Sequence, residues 1–467
     1  MQTCVMRGST LRKSDSLIAL ARRSIYLLAS VLAGCSIGAP RYHEGREALA
    51  QATPTMVEAA PAEAPFPSAT VLDRRALVEE VLRRNPSLES ARQAWRAALE
   101  RYPQDTSLDD PMFGTGIAPA SFGSNSVRGS YSFEVSQALP FPGKLALRGQ
   151  AALAEAEAAD HDYEAARLRI ATMASTLFDE YYLASRAMAI NNHHVELLRE
   201  LQHVALSQYE AGTASQQDPL QAETELAMLE HRQIELETQE RVATAQIDAL
   251  LHRAPDGPLP PPPEALAVEL PTDLEPTTLS ERAITQRPEL RAAAARVEAR
   301  ASKVALARRE FLPDFTVWAK YDTFWQERDL EPAVGFSLNL PLELARRRAA
   351  LDQANAELAR AQSEQQRTED QVRLSVTTAT LRMHEAHHLF ELTRDRLLPA
   401  ARDRLAAARA SYQTGQTSFS ALIDAERGMR DAELGYEEAL TTLSRRRAEL
   451  DRATGRLPVP SDPGGNP

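Results

Sequence analysis

The sequence predicts a mainly α-helical fold with a small β part, built by duplicating one unit that runs helix, strand, strand, long helix, helix. Two observations carry this. Asn85-Pro86-Ser87-Leu88 returns as Arg287-Pro288-Glu289-Leu290, Leu139-Pro140 as Leu340-Pro341, and Tyr209-Glu210-Ala211-Gly212 as Tyr412-Gln413-Thr414-Gly415, at offsets of 202, 201 and 203. Three landmarks in one order at nearly constant spacing mark a repeat of about two hundred residues. The second observation is the run from Lys144 to Ala211, which has no proline and only Gly149. At about 1.5 Å per residue, such a helix reaches roughly 100 Å.

Each unit reads in the same order. In the first, a helix over 74–102 leads to a two-strand region, where Tyr131, Phe133 and Val135 alternate with Ser132, Glu134 and Ser136. The long helix follows, then a turn at 212–218 and a returning helix over 219–252. The second unit repeats this with a helix over 278–310, strands near 315–324 and 334–340, a helix over 343–413, a turn at Gly415 and a helix over 419–454. Each returning helix is about half as long as its outgoing partner, so the opening helix is expected to stack end to end with it and supply the missing cover. Leu351, Ala354, Leu358 and Ala361 recur at three and four residues, the seam spacing of coiled coils. Pro399 is expected to kink its helix.

The N-terminus reads as a processing segment. Basic residues from Arg7 to Arg23 precede the apolar run from Ile25 to Leu32, which is too short to span a bilayer. Leu32-Ala33-Gly34-Cys35 is similar to a bacterial lipobox, which makes Cys35 the expected lipidation site and mature N-terminus. With serine rather than aspartate at position 36, that resemblance implies the outer membrane. The domains follow: signal peptide 1–34, lipidated tether 35–72, first repeat 73–254, Pro-rich linker 255–276, second repeat 277–456 and a disordered tail 457–467.

Charge excludes one function class. The 467 residues include 53 Lys+Arg and 65 Asp+Glu, for a net charge of -12. Loss of the signal segment leaves 48 basic and 64 acidic residues. Nucleic acid is not an expected partner, because no basic stripe tracks phosphates. Two cysteines also exclude a cysteine-based metal cluster.

Four amphipathic strands cannot close a membrane barrel, which needs at least eight, and an open edge in lipid leaves backbone groups unpaired. The barrel is therefore expected to be shared between chains. Phe315, Trp318, Tyr321, Phe324 and Trp325 suit an interfacial girdle against outer-membrane lipid.

At this point the chain resembles the TolC-type outer-membrane efflux proteins. The resemblance rests on the lipobox, the duplicated unit, the strand-to-helix junction from Ser136 to Lys144 and the paired Tyr-x-x-Gly turns, and it covers roughly residues 70–455. It implies a homotrimer whose twelve-stranded barrel is continuous with an α-helical periplasmic tunnel, docked at its far tip by a periplasmic adaptor and an inner-membrane pump, expected to be of the RND type. Lipidation and junction look closest to the CusC-like and CzcC-like heavy-metal branch. The implied function is a passive exit duct for metal ions or small toxic compounds, with no cofactor. By the same resemblance, Tyr209, Gly212, Tyr412 and Gly415 form the tip turns and adaptor contact, and Asp218 and Asp424 the pore-entrance carboxylates. Asp218 directly precedes Pro219 and is alternatively a helix N-cap. An arginine that serves the gate in some relatives falls at Thr417, so the closed state is expected to be held differently.

One motif argues for an enzyme. His384-Glu385-Ala386-His387-His388 matches H-E-x-x-H, which sets two imidazoles one turn apart for zinc with a glutamate as base. A membrane-tethered zinc metalloprotease is thus one alternative, and a type I secretion channel another. The motif lies inside a coiled-coil-like helix with no cleft and no clear third ligand beyond Glu426, so His384 and His388 are weak metal candidates and no catalysis is expected. His193-His194 reads as a surface pair. A lipoprotein adaptor would carry one helical hairpin, and this chain has two.

Overall fold

The computed structural model describes residues 40–52, 66, 69–255, 257–270 and 275–458. In chain order these form helices α1 (Pro40–Gln51), α2 (Arg74–Arg84), α3 (Pro86–Leu99) and α4 (Arg101–Thr106), strands β1 (Met112–Ala118) and β2 (Ser130–Leu139), then α5 (Lys144–Glu210) and α6 (Gln217–Leu250). The second half gives α7 (Pro276–Gln286), α8 (Pro288–Arg309), β3 (Phe315–Asp322), β4 (Pro332–Leu338), α9 (Leu344–Leu392), α10 (Leu398–Gln413) and α11 (Phe419–Ala453). The residues divide into two compact units, one holding Arg96–Glu157, Ala295–Ala361 and the described residues up to Gln51, the other holding the rest.

The first unit is built on an antiparallel sheet in the order β1-β2-β3-β4. Its central pairing, β2 with β3, joins the two repeats, with Phe133 opposite Tyr321 and Glu134 opposite Lys320. Lys144 marks the strand-to-helix junction. Its buried ammonium lies 2.9 Å from Asp314 and 3.2 Å from Glu310, and the Phe141 N–H donates to the same Asp314 carboxylate. Part of the segment expected to be a tether is the helix α1. Pro40 starts it at a position that needs no N–H, and eleven proline-free residues follow. Arg41 then pairs with Glu157 and Glu298, and Tyr42 stacks on Tyr102 with centroids 5.1 Å apart.

The second unit is helical. The opening helices expected over 74–102 and 278–310 are each broken before the landmark proline, at Asn85 and Arg287, whose ψ values of 119° and 121° are extended. Proline disfavours the helical conformation in the residue before it. Both breaks do the same work. The Asn85 amide donates to the Leu250 carbonyl at the end of α6, and the Arg287 guanidinium donates to the Arg452 and Ala453 carbonyls at the end of α11. End-to-end stacking is therefore sealed twice by residues 202 positions apart. Near Pro399 the helix passes through a π-turn, Thr393–Leu397, instead of stopping. Proline removes one N–H and crowds the preceding turn, and the wider turn relieves that crowding.

Candidate channel site

The two faces of the sheet differ in chemistry. Register places Phe113, Ile117, Phe133, Val135, Val317, Tyr321, Val334, Phe336 and Leu338 on one face. The other face carries Ser132, Glu134, Ser136, Thr316, Lys320, Asp322 and Ser337, with Trp318 the main apolar exception. Apolar side chains such as Phe113, Val334 and Phe336 are largely exposed. In water that arrangement forfeits the hydrophobic term, whereas lipid on one side and solvent on the other satisfies both faces. Among the described residues, the outer edges of β1 and β4 have no partner strand. No helix among the described residues is long and apolar enough to cross a membrane.

At the other end of the sequence pattern lie the two glycine turns. Gly212 and Gly415 adopt φ of 74° and 72°, and each closes its helix with the same pair of bonds. Gly212 N–H donates to Tyr209 and Thr213 N–H to Gln208, while Gly415 N–H donates to Tyr412 and Gln416 N–H to Ser411. This Schellman pattern needs the left-handed conformation at the glycine, which a side chain makes costly. A Cβ at either glycine would meet open space, so the dihedral alone explains the residue type. The tyrosines differ, however: Tyr209 is exposed, whereas Tyr412 is buried against Phe419 with ring centroids 5.4 Å apart. One apolar core joins Leu198 and Leu201 of α5, Leu229 of α6, Tyr412 of α10, and Leu422 and Ile423 of α11.

The candidate carboxylates occupy unlike settings. Helix α6 starts at Gln217, so Asp218 stands inside the first turn and is not the N-cap. Burial raises its carboxyl above the ordinary range. Burial likewise raises the Tyr412 hydroxyl, and the charge of Asp218 raises it further. Asp424 is exposed and lies 3.6 Å from Arg427, whose guanidinium also holds the buried carboxylate of Glu225.

The histidines sort differently from the sequence reading. His194 is buried, not on the surface, with Nδ1 2.6 Å from Glu426 and Nε2 2.9 Å from Glu433. Burial works against its charge, but hydrogen bonds and attraction from both carboxylates prevail and raise it to about 9. The one hint in the sequence is that Glu426 and Glu433 are two helical turns apart and so share a face. Glu426 is thus committed to His194 and is not a third ligand for the H-E-x-x-H pair. Around that motif the helix packs through buried Met383 and Ala386, leaving His384 exposed. Among the described residues, the ligand atoms that converge as a group of three are those of His387, His388 and Glu391, and His384 is not in that group. Cys35 lies outside the described residues.

A sheet with one lipid-suited face and open edges, joined in sequence to paired helical hairpins, defines a channel subunit of a shared membrane barrel. The outer membrane efflux protein family model matches residues 77–252 and 279–456, and the chain belongs to that family. The fold is similar to that of a membrane protein from Pseudomonas aeruginosa, with 21% identity, a TM-score of 0.70, and 83% of this chain and 91% of that one covered. It is similar also to the outer membrane protein VceC from Vibrio cholerae (20%, 0.69, 82% and 96%) and to CusC, whose structures concern folding and transmembrane channel formation (18%, 0.69, 85% and 96%). No curated protein matches the sequence. The protein is therefore an outer-membrane efflux channel with a helical periplasmic tunnel, and its family consists of passive channels, not enzymes. Such channels work as trimers with an adaptor and an inner-membrane pump.

Proposed function

We propose that this chain is the exit duct for metal ions or small toxic compounds in a tripartite exporter whose inner-membrane pump is of the RND type, and that lipidated Cys35 tethers it to the outer membrane. The observation that supports a duct is the division of the sheet into an apolar and a polar face, with an edge at β1 and at β4 that is unpaired among the described residues. Three copies would supply twelve strands, enough to close the barrel that four cannot. Gly212 and Gly415 would shape the tunnel tips, and the exposed Tyr209 would offer its ring to the adaptor. Tyr412 would serve the Gly415 turn from within, as part of the core there. Asp218 and Asp424 would face the entrance, where low-dielectric walls strengthen the attraction of carboxylates for cations.

Deleting the gene should sensitise cells to metal ions or toxic compounds, and the intact gene should restore resistance. Unchanged sensitivity with unchanged export would sink the cargo assignment. Cys35→Ser should abolish acylation and leave trimers able to form in detergent.

A further inference from the structure

The helix that carries the H-E-x-x-H match converges three other donors on one patch. His387 Nε2 lies 3.6 Å from Glu391 Oε1, and His388 Nδ1 lies 3.7 Å from Glu391 Oε2. All three ligand atoms fall within 4.8 Å of one another. Zinc bonds of about 2.0–2.2 Å to nitrogen and oxygen in a tetrahedron set neighbouring donors about 3.4 Å apart. The two separations, each to a different oxygen of Glu391, exceed that by only a few tenths of an ångström.

From this geometry we infer that His387, His388 and Glu391 form a binding site for a borderline divalent cation of the zinc class. Two imidazoles and a carboxylate suit such ions better than magnesium or calcium, which prefer all-oxygen shells. The site is open. His388 keeps 74% of its side-chain surface exposed, His387 28% and Glu391 42%, so water completes the fourth position. His387 and Glu391 are one helical turn apart, and a bound ion would cross-link that turn just before the π-turn at Thr393–Leu397. Single-turn π elements interrupt long helices frequently at functional sites. Metal would thus stiffen the helix where its regular hydrogen bonding changes. His384 takes no part, which separates this site from the protease-like pair.

The test uses the full-length protein in detergent, carrying an affinity tag without histidine. Zinc titrated by calorimetry should fill one saturable site per chain, and cobalt should develop the visible absorption of a four-coordinate ion. His387→Ala, His388→Ala and Glu391→Gln should each weaken zinc at least tenfold, while His384→Ala changes it less than twofold. Zinc should also raise the melting temperature of the parent but not of the His387→Ala, His388→Ala double variant. Absence of a saturable site overturns the inference. So does a His384→Ala loss as large as that of His388→Ala with His387→Ala near neutral, which would place the ion on the pair at 384 and 388. Because these readouts need no transport, they stand or fall separately from the export assignment.

Discussion

The Nδ1 of His194 lies 2.6 Å from Oε1 of Glu426 in the buried seam between α5 and α11. Glu433 takes the other ring nitrogen at 2.9 Å. The second oxygen of Glu426 is buried with no hydrogen-bond partner among the described residues, so the imidazolium is the main compensation for that carboxylate. The folded-state value of about 9 stands above the ordinary 6.5. A raised base contributes stability that is complete below about 6.5 and is lost as pH rises through about 9. Thermal melts in detergent should therefore fall between pH 7 and pH 9.5 in the parent, and less in His194→Gln. His194→Ala should cost about 3–5 kcal/mol at neutral pH, the usual penalty for leaving one side of a buried pair uncompensated. Parallel pH profiles for parent and His194→Gln would refute the assignment.

The ends of α6 and α11 provide a comparison within one chain. His252 adopts φ of 54° where the second repeat places Gly455 at 82°. Both close the same bond pattern, His252 N–H to Ala249 with Arg253 N–H to Asp248, and Gly455 N–H to Arg452 with Arg456 N–H to Asp451. A non-glycine residue in this region carries about 1 kcal/mol of strain. His252→Gly should thus raise stability by about 0.5–1 kcal/mol. Gly455→Ala should lower it by more, because its Cβ would also lie 3.2 Å from the Gln286 backbone. Equal effects of opposite sign would show that strain alone decides both sites.

The two carboxylates proposed for the entrance, Asp218 and Asp424, should not be equivalent. Asp424 has Arg427 at 3.6 Å, which offsets part of its charge, whereas burial is what acts on the Asp218 carboxyl. In planar-bilayer recordings at low salt, Asp218→Asn should reduce cation preference and block by multivalent cations more than Asp424→Asn does. Salt should erase the difference, since at 1 M screening acts within about 3 Å. A double variant that conducts and is blocked like the parent would remove both residues from the mouth.

Tyr412 tests the core beside the second glycine turn. Its hydroxyl is buried without a hydrogen-bond partner among the described residues. Tyr412→Phe should be neutral or stabilising by up to about 1 kcal/mol, since an unsatisfied hydroxyl costs desolvation. Tyr412→Ala should destabilise by about 3–5 kcal/mol through the cavity it leaves beside Phe419. Losses of similar size in both variants would mean that the hydroxyl has a partner.

Element order was legible in the sequence because local rules set it. The long α5 follows from a proline-free run, the paired turns from glycine where φ is positive, and the two sheet faces from alternation at period two. Each signal acts within a few residues. The helix breaks at Asn85 and Arg287 were missed by reading one helix over 74–102 and one over 278–310, although the prolines that follow them disfavour a helical residue at both positions. Helix α1 was obscured by the prolines around it, and it is held by Arg41 and Tyr42 reaching residues far along the chain.

What tertiary structure alone decided is which of the like residues are buried. Tyr209 and Tyr412 share a motif, yet only the second enters a core that α5, α6 and α11 jointly enclose. His193 and His194 are adjacent, and only the second meets Glu426, 232 residues away. Periodicity fixes the face on which a side chain sits and carries no information about what packs on that face. Burial and charge compensation depend on contacts between distant segments, and these exist only once the chain has folded.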